Sequence, residues 1–425
     1  MPISPQHTTW TRVVLGWKCD VGGYNTIRDK WGGDTCPFRT AHKPTGGTHE
    51  LEVTKAGAAA RTGDEHHRRR SRDTGEMTKA LVAPAGSQGY NLRLLCRSLL
   101  GTYHLANESI LETGFTKCCL ILLWMMATLA YWLGAIIGSK ALQAQHRNSN
   151  RCFEDPVDNT WEILHDGNGK GAFEAAIIIP ALVRNLTEQT QLHKSVESIL
   201  SQCTPEQLVV VVDDGSPFTV RLNLNLSNFA LLRRSRNGGP AAARNTGAQY
   251  ALGRGAQIIC FLDSDACANE QWLREHLTMQ ASKPGIYGGW TTSSSLGLVS
   301  KLHDYVGTLR GPLLPDGSLL YAPTCNLSVS SACWVLFDES FKSAAFEDVE
   351  FCVRQRKQGW KTRLVATALV YHKYETSLFA LCKQFYRYGK AEPRMIGKHP
   401  EYPDWLAIAS TNYEQEVMVT TKKDT

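Results

Sequence analysis

Hydrophobic positions are distributed very unevenly along this chain. From Met1 to Thr116 no helical or strand period is sustained, and glycine pairs at 22–23, 32–33 and 46–47 interrupt what apolar residues there are. Residues 1–117 therefore read as a disordered, basic and Gly-rich region. Cys118 to Gly138 is then 21 residues without a charge, bracketed by Lys117 and Lys140. That length spans a bilayer once as a helix, and a core helix seldom lacks a polar face for so long. Residues 118–138 are thus expected to form one transmembrane helix, and residues 139–171 a polar linker.

From Ala172 the pattern changes to short apolar runs separated by helical segments. Ala175–Pro180 and Gln207–Val212 are apolar and β-branched, as in strands covered on both faces of a parallel sheet. Leu192–Gln202 reads as the helix between them, Phe229–Arg233 as a third strand, Ala241–Leu252 as a helix and Gln257–Leu262 as a fourth strand. The pattern predicts an α/β domain over 172–400 with an open sheet, whose ligands gather at the carboxyl ends of the strands. Residues 401–425 are left as a C-terminal tail.

Composition changes this picture little. The formal charge of +6 is mild and much of the excess sits in the run from His66 to Arg72, so nucleic acid is not an expected partner. The 13 cysteines are scattered without a Cys-x-x-Cys pair, which argues for free buried thiols. Lys140, Arg147 and Arg151 follow the apolar segment closely while only Lys117 precedes it, which places the catalytic part in the cytosol. Sequons at Asn107, Asn185, Asn225 and Asn326 would be usable on the opposite, luminal side.

Three acidic clusters fall where such a sheet would present them. Asp213-Asp214-Gly215-Ser216 ends the second strand, where a carboxylate can accept from a base imide or ribose hydroxyls. Asp263-Ser264-Asp265 directly follows the fourth strand, so two carboxylates flank one bend and suit a hard cation. Between them, Asn237-Gly238-Gly239-Pro240 leads into a helix carrying Arg244 and Asn245, a start suited to phosphate or ribose. Glu347-Asp348 opens a later helix; taken alone it reads as a cap or dipole partner, and the surrounding clusters turn that reading toward catalysis. Leu369–His372 reads as a strand ending in a possible imidazole ligand.

In that order, the strand ending at Pro180, Asp213-Asp214-Gly215-Ser216, Gly239 to Asn245, Asp263-Ser264-Asp265, Glu347-Asp348 and Gln384-Phe385-Tyr386-Arg387-Tyr388-Gly389 resemble the motifs of family 2 glycosyltransferases with the GT-A fold. Tyr321 to Asn326 and Phe385 to Pro400 are most similar to the mycofactocin-type subgroup. The resemblance implies a mixed sheet flanked by helices and an inverting, metal-dependent transfer from a nucleotide sugar, a UDP-sugar, to a hydroxyl acceptor. It implies donor binding by Pro180, Asp213, Asp214, Asn237, Arg244, Asn245 and Asp263. Mn²⁺ or Mg²⁺ would be held by Asp263 and Asp265, with His372 as a further ligand. Asp348 would be the general base, with Glu347 beside it, and Gln384, Arg387 and Tyr388 would serve the acceptor and diphosphate. Tyr388 stands where processive members carry tryptophan, which favours a non-processive transfer. Two other readings are a nucleotidyltransferase and a membrane-tethered, inactive sugar- or nucleotide-binding module. The first is disfavoured because Ala181 to Asn185 lacks a Gly-rich, Lys-containing loop, the second because Asp265 and Asp348 are both present.

Overall fold

The structure is a computed structural model that describes residues 114–148, 160–167, 172–222, 224–374 and 376–410. The expectation of disorder for 1–117 falls almost wholly outside the described residues, as does most of the tail. The elements in order are α1 (Gly114–Asn148), β1 (Trp161–Asp166), β2 (Ala175–Ala181), α2 (Leu186–Leu200), β3 (Gln207–Asp213), β4 (Phe229–Arg234), α3 (Pro240–Gly253), β5 (Ile258–Phe261) and β6 (Ala266–Ala268). They continue with α4 (Trp272–Ser282), β7 (Ile286–Ser293), α5 (Leu298–Val306), β8 (Leu327–Ser330), α6 (Glu347–Lys357), β9 (Thr362–His372), α7 (Leu378–Lys398) and α8 (Tyr402–Ser410).

The strands form one mixed sheet in the order β1-β4-β3-β2-β5-β8-β7-β9-β6. Its β4-β3-β2-β5 part is parallel, while β8 runs antiparallel to β5 and to β7. The continuous apolar runs of β2 and β3 follow from cover on both faces. Ile178, Val210 and Val212 pack with Ala241, Ala243 and Ala248 of α3 and Phe351 of α6. Ile177, Ile179, Val209 and Val211 pack on the other face with Leu192, Val196 and Ile199 of α2 and Trp272 of α4. Each of these side chains is buried, and each Val, Leu, Ile and Phe among them contributes about 1.5–3 kcal/mol before the entropy of ordering is set against it.

Three boundaries differ from the sequence reading. The apolar helix is longer than its uncharged segment, running over 35 residues and continuing through a polar last stretch. The stretch read as linker holds β1, an edge strand that pairs antiparallel with β4 and leaves its first four residues exposed. With little of it buried, β1 has no apolar alternation to betray it. The region read as tail begins with α8, whose Tyr402 and Ala409 are buried against Met395 of α7 and Val349 of α6. The described cysteines are free, but only Cys260, Cys325, Cys333 and Cys352 among them are buried.

Candidate active site

The site is built at the carboxyl ends of β3, β5 and β9 and at the start of α6. Antiparallel pairing of β6 with β9 sets Ala266 opposite His372 and so brings Asp265, one residue earlier, beside the imidazole. The backbone N–H of Lys373 donates to the Asp265 carbonyl at 3.0 Å and closes that corner. His372 Nε2 lies 3.3 Å from Asp265 Oδ1 and 3.7 Å from Asp263 Oδ2.

These three side chains offer ligand atoms that all lie within 4.8 Å of one another. Two carboxylates and an imidazole form a donor set suited to Mn²⁺ and, less well, to Mg²⁺. Burial works against a charge on His372, yet Asp265 and Asp263 outweigh it and lift its pKa to about 9. A proton thus stands between the two carboxylates, where a cation would replace it. Tyr374, itself buried, lies against both His372 and His303 of α5, with ring centroids 5.5 and 4.4 Å away. Nothing in the sequence pattern marks Tyr374 or His303 as supports of this corner.

Arg244 joins the corner of Asp263, Asp265 and His372 to the start of α6. From inside α3, Nη2 donates to Asp263 Oδ1 at 2.8 Å and Nη1 to Glu347 Oε1 at 2.9 Å. Burial opposes its charge, but Asp263 and Glu347 outweigh that and raise its pKa above the usual arginine value. In return, although burial opposes ionisation, Arg244 and His372 bring Asp263 down to about 2. Glu347 Oε2 is buried and has no hydrogen-bond partner. Asp348 is pushed up to about 7, first by burial and then by the negative charge of Glu347. Phe346, just before them, has φ 69°, a left-handed conformation that costs a bulky residue energy and recurs at functional sites.

The other expected donor residues have different surroundings. Asp214 accepts from the backbone N–H of Gly238 and Gly239, both at 2.9 Å, and pairs with Arg234 Nε at 2.9 Å. Asp213 pairs with Arg233 and accepts from Ser216 N at 2.8 Å. Both carboxylates therefore brace the turns at the end of β3. Asn237 is exposed and caps its own turn through Gly239 N at 2.9 Å, and Gly239 has φ 87° with no room for a Cβ against the Lys342 carbonyl. Pro180 lies within β2, paired with Val212.

Asn245 is not drawn into the site. Its amide exchanges bonds with Phe337 N and O at 2.8 and 3.0 Å and reaches Glu339 at 2.9 Å, tying α3 to the segment before α6. Asn326, read as a sequon, is likewise buried, and binds Trp272 Nε1, His276 and the carbonyls of Trp290 and Ala368.

On α7, Gln384 Nε2 donates to Tyr388 Oη at 2.8 Å. Burial raises the pKa of the Tyr388 phenol. The guanidinium of Arg387 lies 5.7 Å from the Tyr388 ring, and its buried Nε has no hydrogen-bond partner.

Residues 176–334 match the model described as Glycosyl transferase family 2. The chain is 31% identical over 217 residues to a pre-mycofactocin glycosyltransferase of Mycobacterium tuberculosis (strain CDC 1551 / Oshkosh), covering 47% of this chain and 45% of that protein. It is 32% identical over 108 residues to WfgD of Escherichia coli, a UDP-Glc:alpha-D-GlcNAc-diphosphoundecaprenol beta-1,3-glucosyltransferase, covering 25% of this chain and 40% of that one. The chain thus spans less than half the length of either relative. A solved structure of S. aureus TarS 1-349 in complex with UDP-GlcNAc aligns at a TM-score of 0.38 and 17% identity, over 48% of this chain and 60% of that one, a likeness too partial to argue from. The matched segment, which holds the strands β2 to β8 of the mixed sheet, is therefore similar to a family 2 glycosyltransferase domain.

Proposed function

We propose that the chain transfers a sugar from a UDP-sugar to an acceptor hydroxyl in one inverting, non-processive step at a membrane. The observation that carries this reading is the Arg244 bridge, which holds the carboxylate corner and the Glu347-Asp348 pair in one buried cluster. The UDP donor is supported by the printed activity of the Escherichia coli relative, and membrane association by the apolar α1.

Asp263, Asp265 and His372 would hold Mn²⁺ or Mg²⁺, which when bound supplies positive charge to the departing diphosphate. Arg387, whose buried Nε has no hydrogen-bond partner, would meet phosphate oxygens, with Tyr388 and Gln384 on the same helix. Asp348 takes the acceptor hydroxyl's proton as the acceptor oxygen bonds to the anomeric carbon. The bond from that carbon to the diphosphate breaks, and the nucleoside diphosphate leaves with the electron pair. A carboxylate held near pH 7 suits that proton transfer, which contributes about 10²–10⁴ in rate. Glu347, fixed by Arg244 through one oxygen, offers the other to the acceptor.

The test is nucleotide release by the detergent-solubilised full chain, with Mn²⁺ or Mg²⁺, over a panel of UDP-sugars and GDP-mannose. Metal-dependent release from one donor, lost in Asp265→Ala, is the expected result. A folded chain that neither releases nor binds nucleotide would favour an inactive binding module instead.

A further inference from the structure

α1 does not stand away from the catalytic domain. It runs beside α7 in the same direction: the Trp124 and Phe385 rings meet edge-on at 6.0 Å, a Cβ on Gly389 would lie 1.9 Å from the Tyr131 carbonyl oxygen, and one on Gly138 would lie 2.3 Å from the Lys390 carbonyl oxygen. Further along, Leu142 faces Gly397, and Arg394 donates to Gln145 at 3.1 Å. The apolar segment is therefore flanked by protein over most of its length, and the flank is cationic. Lys383, Arg387, Lys390 and Arg394 all lie on α7.

The two faces of α1 differ. Leu120, Ala127, Gly134, Ala135 and Gly138 are buried toward the domain. Leu122, Met125, Met126, Leu129, Leu133 and Ile136 recur at helical spacing on the opposite face and are exposed, Leu129 by 73%. Close by, α5 packs Val299 and Leu302 against Leu120, while Leu298 near its start and Phe379 near the start of α7 remain exposed. Among the described residues, α1 carries no acidic side chain and the one on α7, Glu392, is buried, whereas Lys140, Lys383 and Lys390 are exposed.

A helix crossing the bilayer in this arrangement would carry the α7 cations into hydrocarbon, which has no counterpart for them. A helix lying flat would bury its outer stripe about 5–10 Å deep and leave the lysines at headgroup level. We propose that α1 docks the enzyme onto an anionic bilayer surface by lying in the membrane plane, with its outer face in the lipid and its inner face on α7. The proposal rests on the membrane association inferred above. It sets the Gln384 and Tyr388 side of the site within one helix of the lipid surface, because the same α7 carries both contacts.

The test uses the full chain reconstituted with vesicles of phosphatidylcholine, with and without phosphatidylglycerol. The expected results are flotation that increases with phosphatidylglycerol, release by alkaline carbonate, and cleavage of tags at both chain ends by protease added outside. The double variant Leu129→Asp/Leu133→Asp, checked for an unchanged circular dichroism melt, should lower the floated fraction about tenfold or more while leaving nucleotide release in detergent unchanged. Retention after carbonate, with one tag protected, would overturn the in-plane arrangement and keep membrane association. Absence of flotation by the parent chain, or self-association through this face without vesicle binding, would overturn both.

Discussion

Arg244 Nη1 lies 2.9 Å from Glu347 Oε1 across 103 residues of sequence, and both side chains are almost fully buried. With its other nitrogen on Asp263, this one guanidinium decides whether the carboxylate corner and the acidic pair share a cluster. Arg244→Met would leave Asp263 and Glu347 buried together without their cation. A loss of roughly 3–5 kcal/mol in unfolding free energy is expected, by urea denaturation, together with loss of transfer. Adding Glu347→Gln should recover part of the stability and none of the activity; strict additivity of the two changes would show that the pair is not coupled.

Asp348→Asn should lower kcat by about 10²–10⁴ while sparing metal-dependent nucleotide binding in calorimetry. In the parent enzyme, kcat/KM should rise with pH through about 7, because the base must lose its proton before it can accept one from the acceptor. A flat profile between pH 6 and 8 would remove Asp348 from that role.

The same residue sets a stability difference. Its pKa is raised above the ordinary carboxylate value on folding, so folding favours its protonated form, and that contribution is lost as pH rises through about 7. In the ligand-free chain, Asp348→Asn should therefore melt above the parent at pH 8, with the difference shrinking as the pH is lowered.

Asp265→Ala should weaken metal-dependent nucleotide binding as well as turnover, unlike Asp348→Asn. Since His372 holds its proton up to about pH 9, cation binding at neutral pH should release about one proton. Calorimetry in buffers of different ionisation enthalpy reads that number directly; no dependence on the buffer would show that His372 is not displaced from its proton.

Gly389→Val would press a side chain into the Tyr131 carbonyl and separate α7 from α1. A destabilisation of about 1–3 kcal/mol or more is expected from such overpacking, measured in detergent. Weaker acceptor use with donor binding retained would show that α1 helps hold Gln384 and Tyr388 in place.

Much of the domain was legible in the chain because burial on both faces leaves an uninterrupted apolar record. Ile177 to Ile179 and Val209 to Val212 could only be interior strands, and Asp213 and Asp263 mark where those strands deliver their ends. β1 and α8 escaped because an exposed edge strand and a short helix packed through two residues leave no period to read.

By itself the sequence determined that an open α/β sheet follows a long apolar segment, and which carboxylates stand at the strand ends, since local pattern and turn chemistry are encoded within a few residues. Tertiary structure alone decided that Arg244 divides itself between Asp263 and Glu347, that Asp214 braces the Gly238-Gly239 turn while Asn245 ties α3 to Phe337, and that α1 lies along α7. Those outcomes depend on contacts between segments far apart in the chain, and the partner of a charge or of a glycine's bare face is set only when packing brings the two surfaces together.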